Sequence, residues 1–235
     1  MMFKNLKKAV LISGHLRSFY NAWHKIKEFY GEDTDFYFTV WDHDFINSKN
    51  AEYDTEKLKE FLVKEPKVKS LNFISVEDLL NWSKTIKNVD NSIETHYIRF
   101  GQIFICYKNV EFSKEHLKNY DLVFRNRLDI YPTLQPHSVD TFNSQLNDLS
   151  TLYTMKDFLS FGFFRFGESF FYSSPETYLE LFKDLGFKIS DILSNPFFKA
   201  KEKSLTNHNL WGTVVQFSNI PRVRPSAFGR CRVPI

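Results

Sequence analysis

Residues 9–41 read AVLISGHLRSFYNAWHKIKEFYGEDTDFYFTVW, and this stretch decides the fold. Ala9, Val10, Leu11 and Ile12 form a short unbroken apolar run that stops at Ser13-Gly14. Such a run predicts a strand buried on both faces, as parallel sheets require. Phe19, Trp23, Ile26 and Tyr30 then recur at helical spacing, with Ser18 placed to cap the start and Gly31 just beyond the end. Asp35 to Trp41 is aromatic and β-branched, a second strand. Strand, helix and strand within so short a span predict a β-α-β unit with a right-handed crossover.

The rhythm continues outward. Residues 54–64 predict an amphipathic helix closed by Pro66, and Val68 to Ile74 a third strand. Residues 93–118 carry a long helical pattern broken near Gly101, with Ile98, Ile105, Val110 and Leu117 facing inward. Tyr120 to Arg127 is a strand centred on Leu122, Val123 and Phe124. Residues 132–150 are polar and turn-rich; a short strand, a loop holding Gly162 and Gly167, and a strand at Ser169 to Tyr172 follow. Ser174 caps a helix from Pro175 to Leu185, and residues 205–217 are helical, weakened by Gly212. The expected fold class is α/β: an open, mostly parallel sheet flanked by helices in a single domain.

Composition narrows the function classes. The 235 residues are 43% apolar and 25% charged, which excludes a disordered chain. The 26 phenylalanines supply rings both for a filled interior and for a cleft wall. A net charge of +3 is too mild for a dedicated nucleic-acid binder, so no nucleic-acid partner is expected. Cys106 and Cys231 match no zinc spacing and no disulfide framework, and predict reduced thiols in a cytoplasm. No apolar run approaches the length of a signal core or a transmembrane segment.

Open α/β sheets bind ligands outside the carboxyl ends of their strands. Ser13, Gly14, His15, Leu16 and Arg17 follow the first strand; Asp42, His43 and Asp44 follow the second; Arg125, Asn126, Arg127, Leu128 and Asp129 end the fourth. Arginine is scarce here, nine residues of 31 basic ones, yet it falls at these ends and four times in the last fourteen residues. A guanidinium grips phosphate with two parallel bonds, so an arginine-lined crevice suits a diphosphate. The 13–17 turn lacks both the three-glycine dinucleotide fingerprint and the P-loop lysine, and is either an anion-binding turn or a plain one. Strand alternation puts Arg125, Arg127 and Asp129 on one face, as a ligand site or as an ion-pair cluster. Arg222, Arg224, Arg230 and Arg232 either form a solvated basic tail or fold over a diphosphate or an acidic acceptor, with Arg222-Val223-Arg224 alternating like an edge strand.

Phe100 to Tyr131, FGQIFICYKNVEFSKEHLKNYDLVFRNRLDIY, resembles a stretch of bacterial and phage glycosyltransferase-like proteins, including WavE-type lipopolysaccharide-synthesis proteins. It shares a glutamine (Gln102) opening a helix, then Tyr120-Asp121, then the Arg-x-Arg-x-Asp strand end at Arg125, Arg127 and Asp129. VLISGHLRSF and FYFTVWDHD are similar to the family's opening turn and second strand, and Lys156-Asp157-Phe158 with the later Phe-Gly pairs to its acidic residue before an aromatic loop. The resemblance implies a GT-A-like (Rossmann-like) fold, with residues 1–131 as the nucleotide-binding half and 132–235 as the acceptor-side half. It implies a nucleotide-sugar donor, a glycan or lipid-linked sugar acceptor, and polysaccharide biosynthesis.

That family's fold usually ends its fourth strand with Asp-x-Asp around a divalent metal; here the strand ends Arg127-Leu128-Asp129. Either Asp129 holds Mn²⁺ or Mg²⁺, or Arg125 and Arg127 neutralise the leaving diphosphate without a metal. Ser13, Gly14, His15, Arg17, Asp42 and Asp44 would serve the donor, Asp42 and Asp44 alternatively as helix caps. A base for the acceptor hydroxyl is expected first at Asp157, then Glu168 and His208. Phe158, Phe161, Phe163, Phe164 and Phe166 pack a core or stack on the acceptor sugar. The competing classes are a nucleic-acid-binding protein using the arginine tail, and a glycoside or phosphoester hydrolase with paired carboxylates.

Overall fold

In the computed structural model, which describes residues 6–16, 19–44, 51–52, 54–87, 93–135, 138–155, 167–196 and 207–232, the first strand β1 (Lys8–Gly14) lies at the heart of a seven-stranded sheet. Its alternate residues enter two different cores: Val10 and Ile12 on one side, Ala9 and Leu11 on the other. This is why its apolar run is continuous rather than alternating.

Helix α1 (Phe19–Tyr30) covers the first side, burying Phe19, Trp23, Ile26 and Tyr30. The rings of Phe19 and Trp23 meet Phe38 of β2 (Thr34–Trp41) edge-on at 5.6 and 5.5 Å. Each such buried ring contributes about 2–3 kcal/mol by area alone. The β-hairpin β3 (His43–Asp44) and β4 (Ala51–Glu52) follows, then α2 (Thr55–Val63), capped by the Asp54 carboxylate on the Lys57 amide at 2.8 Å. β5 (Val68–Ile74) is the outer strand on this side, and α3 (Val76–Ser83) begins with a reciprocal Ser75/Asp78 capping box.

α4 (Ile93–Leu117) crosses the opposite face against β1, β2 and β5. It runs through Gly101 unbroken, because the residues around that glycine, Phe100, Ile103 and Phe104, are buried, and packing outweighs the local propensity cost. Ile105, Val110 and Leu117 are buried as the periodicity predicts; the Ile98 side chain lies outside the described residues.

From α4 the chain returns to the far side of β1 as β6 (Leu122–Arg127), then folds out into β7 (Ile130–Leu134). The stretch expected to be turns contains α5 (Val139–Gln145), anchored by the fully buried Phe142. β8 (Leu152–Met155) and β9 (Gly167–Ser173) come next. α6 (Pro175–Phe182) starts at the Ser174 cap as predicted. It ends early because Asp184 turns left-handed at φ 52°, and a separate helix α7 (Leu185–Ser194) begins. α8 (Asn207–Gln216), β10 (Val223–Pro225) and β11 (Phe228–Arg232) complete the order.

The large sheet runs β10-β8-β9-β6-β1-β2-β5. β1 pairs in parallel with β2 and β6, β2 with β5, and β10 with β8; β9 alone is antiparallel to both its neighbours. This is the expected α/β architecture: an open, mostly parallel sheet between helical layers. β10 is the edge strand that Arg222-Val223-Arg224 predicts, and Arg222 pairs with Asp148 at 3.6 Å.

Candidate active site

The strand order reverses between β1 and β6. From β1 the chain builds outward through β2 and β5, then crosses back to β6 on the other flank. A crevice opens outside the carboxyl ends of strands where neighbouring connections diverge in this way. Ser13 lies across from Arg127 in the β1–β6 register, so both ends finish level.

A narrow cleft of about 30 Å³, room for one water or one anionic oxygen, sits there. Its wall is Gly14, His15, Trp41, Gln102, Ile105, Arg125, Arg127, Leu128 and Asp129. Three wider hollows of about 480, 540 and 660 Å³ lie elsewhere on the surface. The first of them is at the amino ends of β1 and β2, with Lys7, Lys8, Asp33 and Asp35, and none of the three includes residues from the strand-end cluster.

Gly14 turns the chain out of β1 at φ 137°, a conformation closed to side-chain-bearing residues. Space is not the constraint, since a Cβ there would meet Leu128 at an ordinary 3.7 Å. Gly14→Ala therefore acts through backbone strain, about 2 kcal/mol, and should lower the melting temperature by roughly 4–8 °C for a chain of this size, read by calorimetry. Just beyond, His15 stacks on Trp41 with centroids 6.2 Å apart and planes at 23°.

Arg125 is 2% exposed. Its Nε donates to Cys106 Sγ at 2.9 Å, Nη2 to the Ser13 carbonyl at 3.0 Å, and Nη1 to the Asn126 carbonyl. Three of its five N–H groups are thus taken, and no carboxylate among the described residues pairs with it. Tyr30 and Tyr178 are fully buried close by, and burial pushes both phenols well above their ordinary range against the opposing pull of Arg125. They stay neutral and supply no counter-charge to the guanidinium.

Arg127 and Asp129 form a bidentate pair, Nε to Oδ1 at 2.9 Å and Nη2 to Oδ2 at 2.7 Å, with side chains only 14% and 13% exposed. Among the described lining residues, two guanidinium groups against one carboxylate leave one net positive charge, which attracts anions. Asp129, expected as the ligand of Mn²⁺ or Mg²⁺, instead has both oxygens engaged by Arg127 and Arg125 as a neighbour. Among the described residues no group of three potential ligands surrounds it. The described residues alone thus offer a divalent cation one carboxylate, and that carboxylate is already paired with Arg127.

The structure brings Gly14, His15, Arg125, Arg127 and Asp129 together as cleft lining. Ser13 is fully buried and turns its hydroxyl to Cys106 Sγ at 3.5 Å, contributing its carbonyl rather than its side chain. Asp42 lies off the cleft after β2, its amide bonded to the Ile74 carbonyl at 3.0 Å. Asp44 is in β3, Glu168 in β9 and His208 in α8, with backbones placed and side chains outside the described residues. Antiparallel pairing, Asn126 across from Phe170, carries the start of β9 and the Glu168 backbone to the edge where β6 ends. Arg17, Ser18, Asp157 and the five clustered phenylalanines lie outside the described residues.

Gln102, Cys106, Ile105 and Trp41 are cleft or floor residues that motif reasoning does not single out as site residues. A signal for three buried polar positions was present: Cys106, Asn109 and Ser113 recur at helical spacing on α4, with Gln102 one turn before them. Asn109 donates to the Ile12 and Tyr37 carbonyls at 3.0 and 3.1 Å, fixing the helix over β1 and β2.

No protein-family model and no curated protein sequence matches the chain. Among solved structures, it is similar to the galactosyltransferase LgtC in complex with donor and acceptor sugar analogs, at 13% identity and TM-score 0.46, covering 92% of this chain and 72% of that one. Mouse xyloside xylosyltransferase 1 gives 9% identity and TM-score 0.41 over 93% and 84%. The bifunctional glycosyltransferase WbbM gives 13% and 0.44 over 94% of this chain but 38% of its own.

Proposed function

We propose that the protein is a glycosyltransferase of GT-A-like fold that moves a sugar from a nucleotide-sugar donor to a hydroxyl of a glycan or lipid-linked acceptor. The observation that carries this is Arg125: a guanidinium 2% exposed, paired with no carboxylate among the described residues, at the strand switch point. Burying a charge unpaired is costly unless a ligand completes it. The strand-end motif shared with the WavE-type proteins falls on this same cleft.

Sugar transfer requires charge to develop on a departing diphosphate while the sugar becomes oxocarbenium-like. Arg125 and Arg127 are preorganised for that charge, held by the Ser13 carbonyl and by Asp129 respectively. Asp129 acts as the positioning residue for Arg127. Asp157, or else Glu168 or His208, takes the proton from the acceptor hydroxyl. No helix among the described residues is long and apolar enough to cross a membrane. The free thiol of Cys106 suits a reducing compartment such as the cytoplasm.

Incubation with a panel of nucleotide sugars tests the proposal. Saturable binding of one nucleoside diphosphate and release of it from its sugar conjugate are the expected results. Absence of both across the panel, with and without Mn²⁺, would overturn it.

A further inference from the structure

Gln102 sits on α4 one turn before Cys106 and lines the same cleft as Arg125, Arg127 and Asp129. Its Oε1 is buried and has no hydrogen-bond partner among the described residues. A buried amide carbonyl left unmatched is disfavoured, and few persist in folded proteins without a reason. Both guanidinium groups of the cleft are aimed elsewhere, at Cys106, backbone carbonyls and Asp129, so neither satisfies it.

The missing partner must be a donor. A diphosphate offers only acceptors and would repel this oxygen, so the Gln102 carbonyl does not serve the phosphates. What stands beside a diphosphate in a nucleotide sugar and carries donors is a ring hydroxyl, of the ribose or of the transferred sugar. Asp129, a second acceptor in the cleft wall, already receives two bonds from Arg127. We infer that Gln102 is a specificity-determining residue whose side-chain carbonyl accepts a hydrogen bond from a sugar hydroxyl adjoining the diphosphate. This inference rests on the donor-binding reading of the cleft. It divides the labour there: arginines hold charge, and Gln102 reads the group attached to it.

The test is calorimetric titration of the wild type and Q102L with inorganic pyrophosphate, with UDP, GDP, CDP and ADP, and with their glucose or mannose conjugates. In Q102L, pyrophosphate affinity should stay within about twofold, while the best sugar-bearing ligand weakens about tenfold, the worth of one neutral hydrogen bond. A loss already seen with the nucleoside diphosphate assigns the ribose hydroxyl; a loss confined to the conjugate assigns the transferred sugar. The urea midpoint of Q102L should equal or exceed that of the wild type, because an unsatisfied acceptor is being removed; a structural glutamine would show the reverse. Equal losses for pyrophosphate and conjugate, or no loss for either, overturn the inference while leaving the donor site standing. If the wild type binds neither pyrophosphate nor any nucleotide, the donor site itself fails and takes the inference with it.

Discussion

Arg125→Met should weaken nucleoside diphosphate binding about a hundredfold, roughly 3 kcal/mol, as two charge-assisted hydrogen bonds to phosphate would. Methionine keeps much of the buried stem, so the variant isolates the guanidinium. The fold should tolerate it better than the binding does. The arginine is buried with no counter-charge paired to it among the described residues, and losing the bonds to the Ser13 and Asn126 carbonyls is offset by relief of that desolvated charge. Titration of the purified variant beside a urea melt separates the two. A variant that binds diphosphate as the wild type does would remove the central support for the proposed function. Arg125→Lys should rescue little, since an ammonium cannot span Cys106 and two strand carbonyls while also facing a ligand.

Arg127→Ala should act on fold and ligand together. The Arg127–Asp129 pair is largely buried and bidentate, so removing the arginine strands a carboxylate in the cleft. Breaking such a pair costs about 3 kcal/mol, equivalent to roughly 6–12 °C in melting temperature at this chain length. Binding should also be lost, because the cleft changes from one net positive charge to none. The double variant Arg127→Ala with Asp129→Ala should recover much of the stability and none of the affinity. A double-mutant cycle with additive stability losses would show that the two side chains do not depend on each other.

The strands and the first helices were legible because each carries one unambiguous period. β1 reads as buried on both faces since Ala9 to Ile12 are all apolar, and α1 reads as a helix since Phe19, Trp23, Ile26 and Tyr30 share one face. The strand-end charges were legible for a related reason: the two-residue repeat of a strand places Arg125 and Arg127 on the same side whatever surrounds them. α3 and α7 were not, because each is short and depends on a local device, the Ser75/Asp78 box and the left-handed turn at Asp184. The buried polar stripe of α4 also escaped motif reasoning. Cys106 and Asn109 are ordinary residues on a helix, and only their partners on the strands, Arg125 and the Ile12 and Tyr37 carbonyls, make them neighbours of the site.

By itself the sequence determined the leading β-α-β unit, the parallel core and the presence of two guanidinium groups beside one carboxylate, because these follow from local spacing and backbone sterics. Tertiary structure alone decided what those charges face. The reversal of strand order beside β1 sets Arg125 under α4 with no acid among the described residues paired to it, ties Asp129 to Arg127, and brings Gln102 into their cleft. Such outcomes depend on which distant segments come to share a low-dielectric space, where an unmatched charge or carbonyl is strong, and linear order carries no record of that.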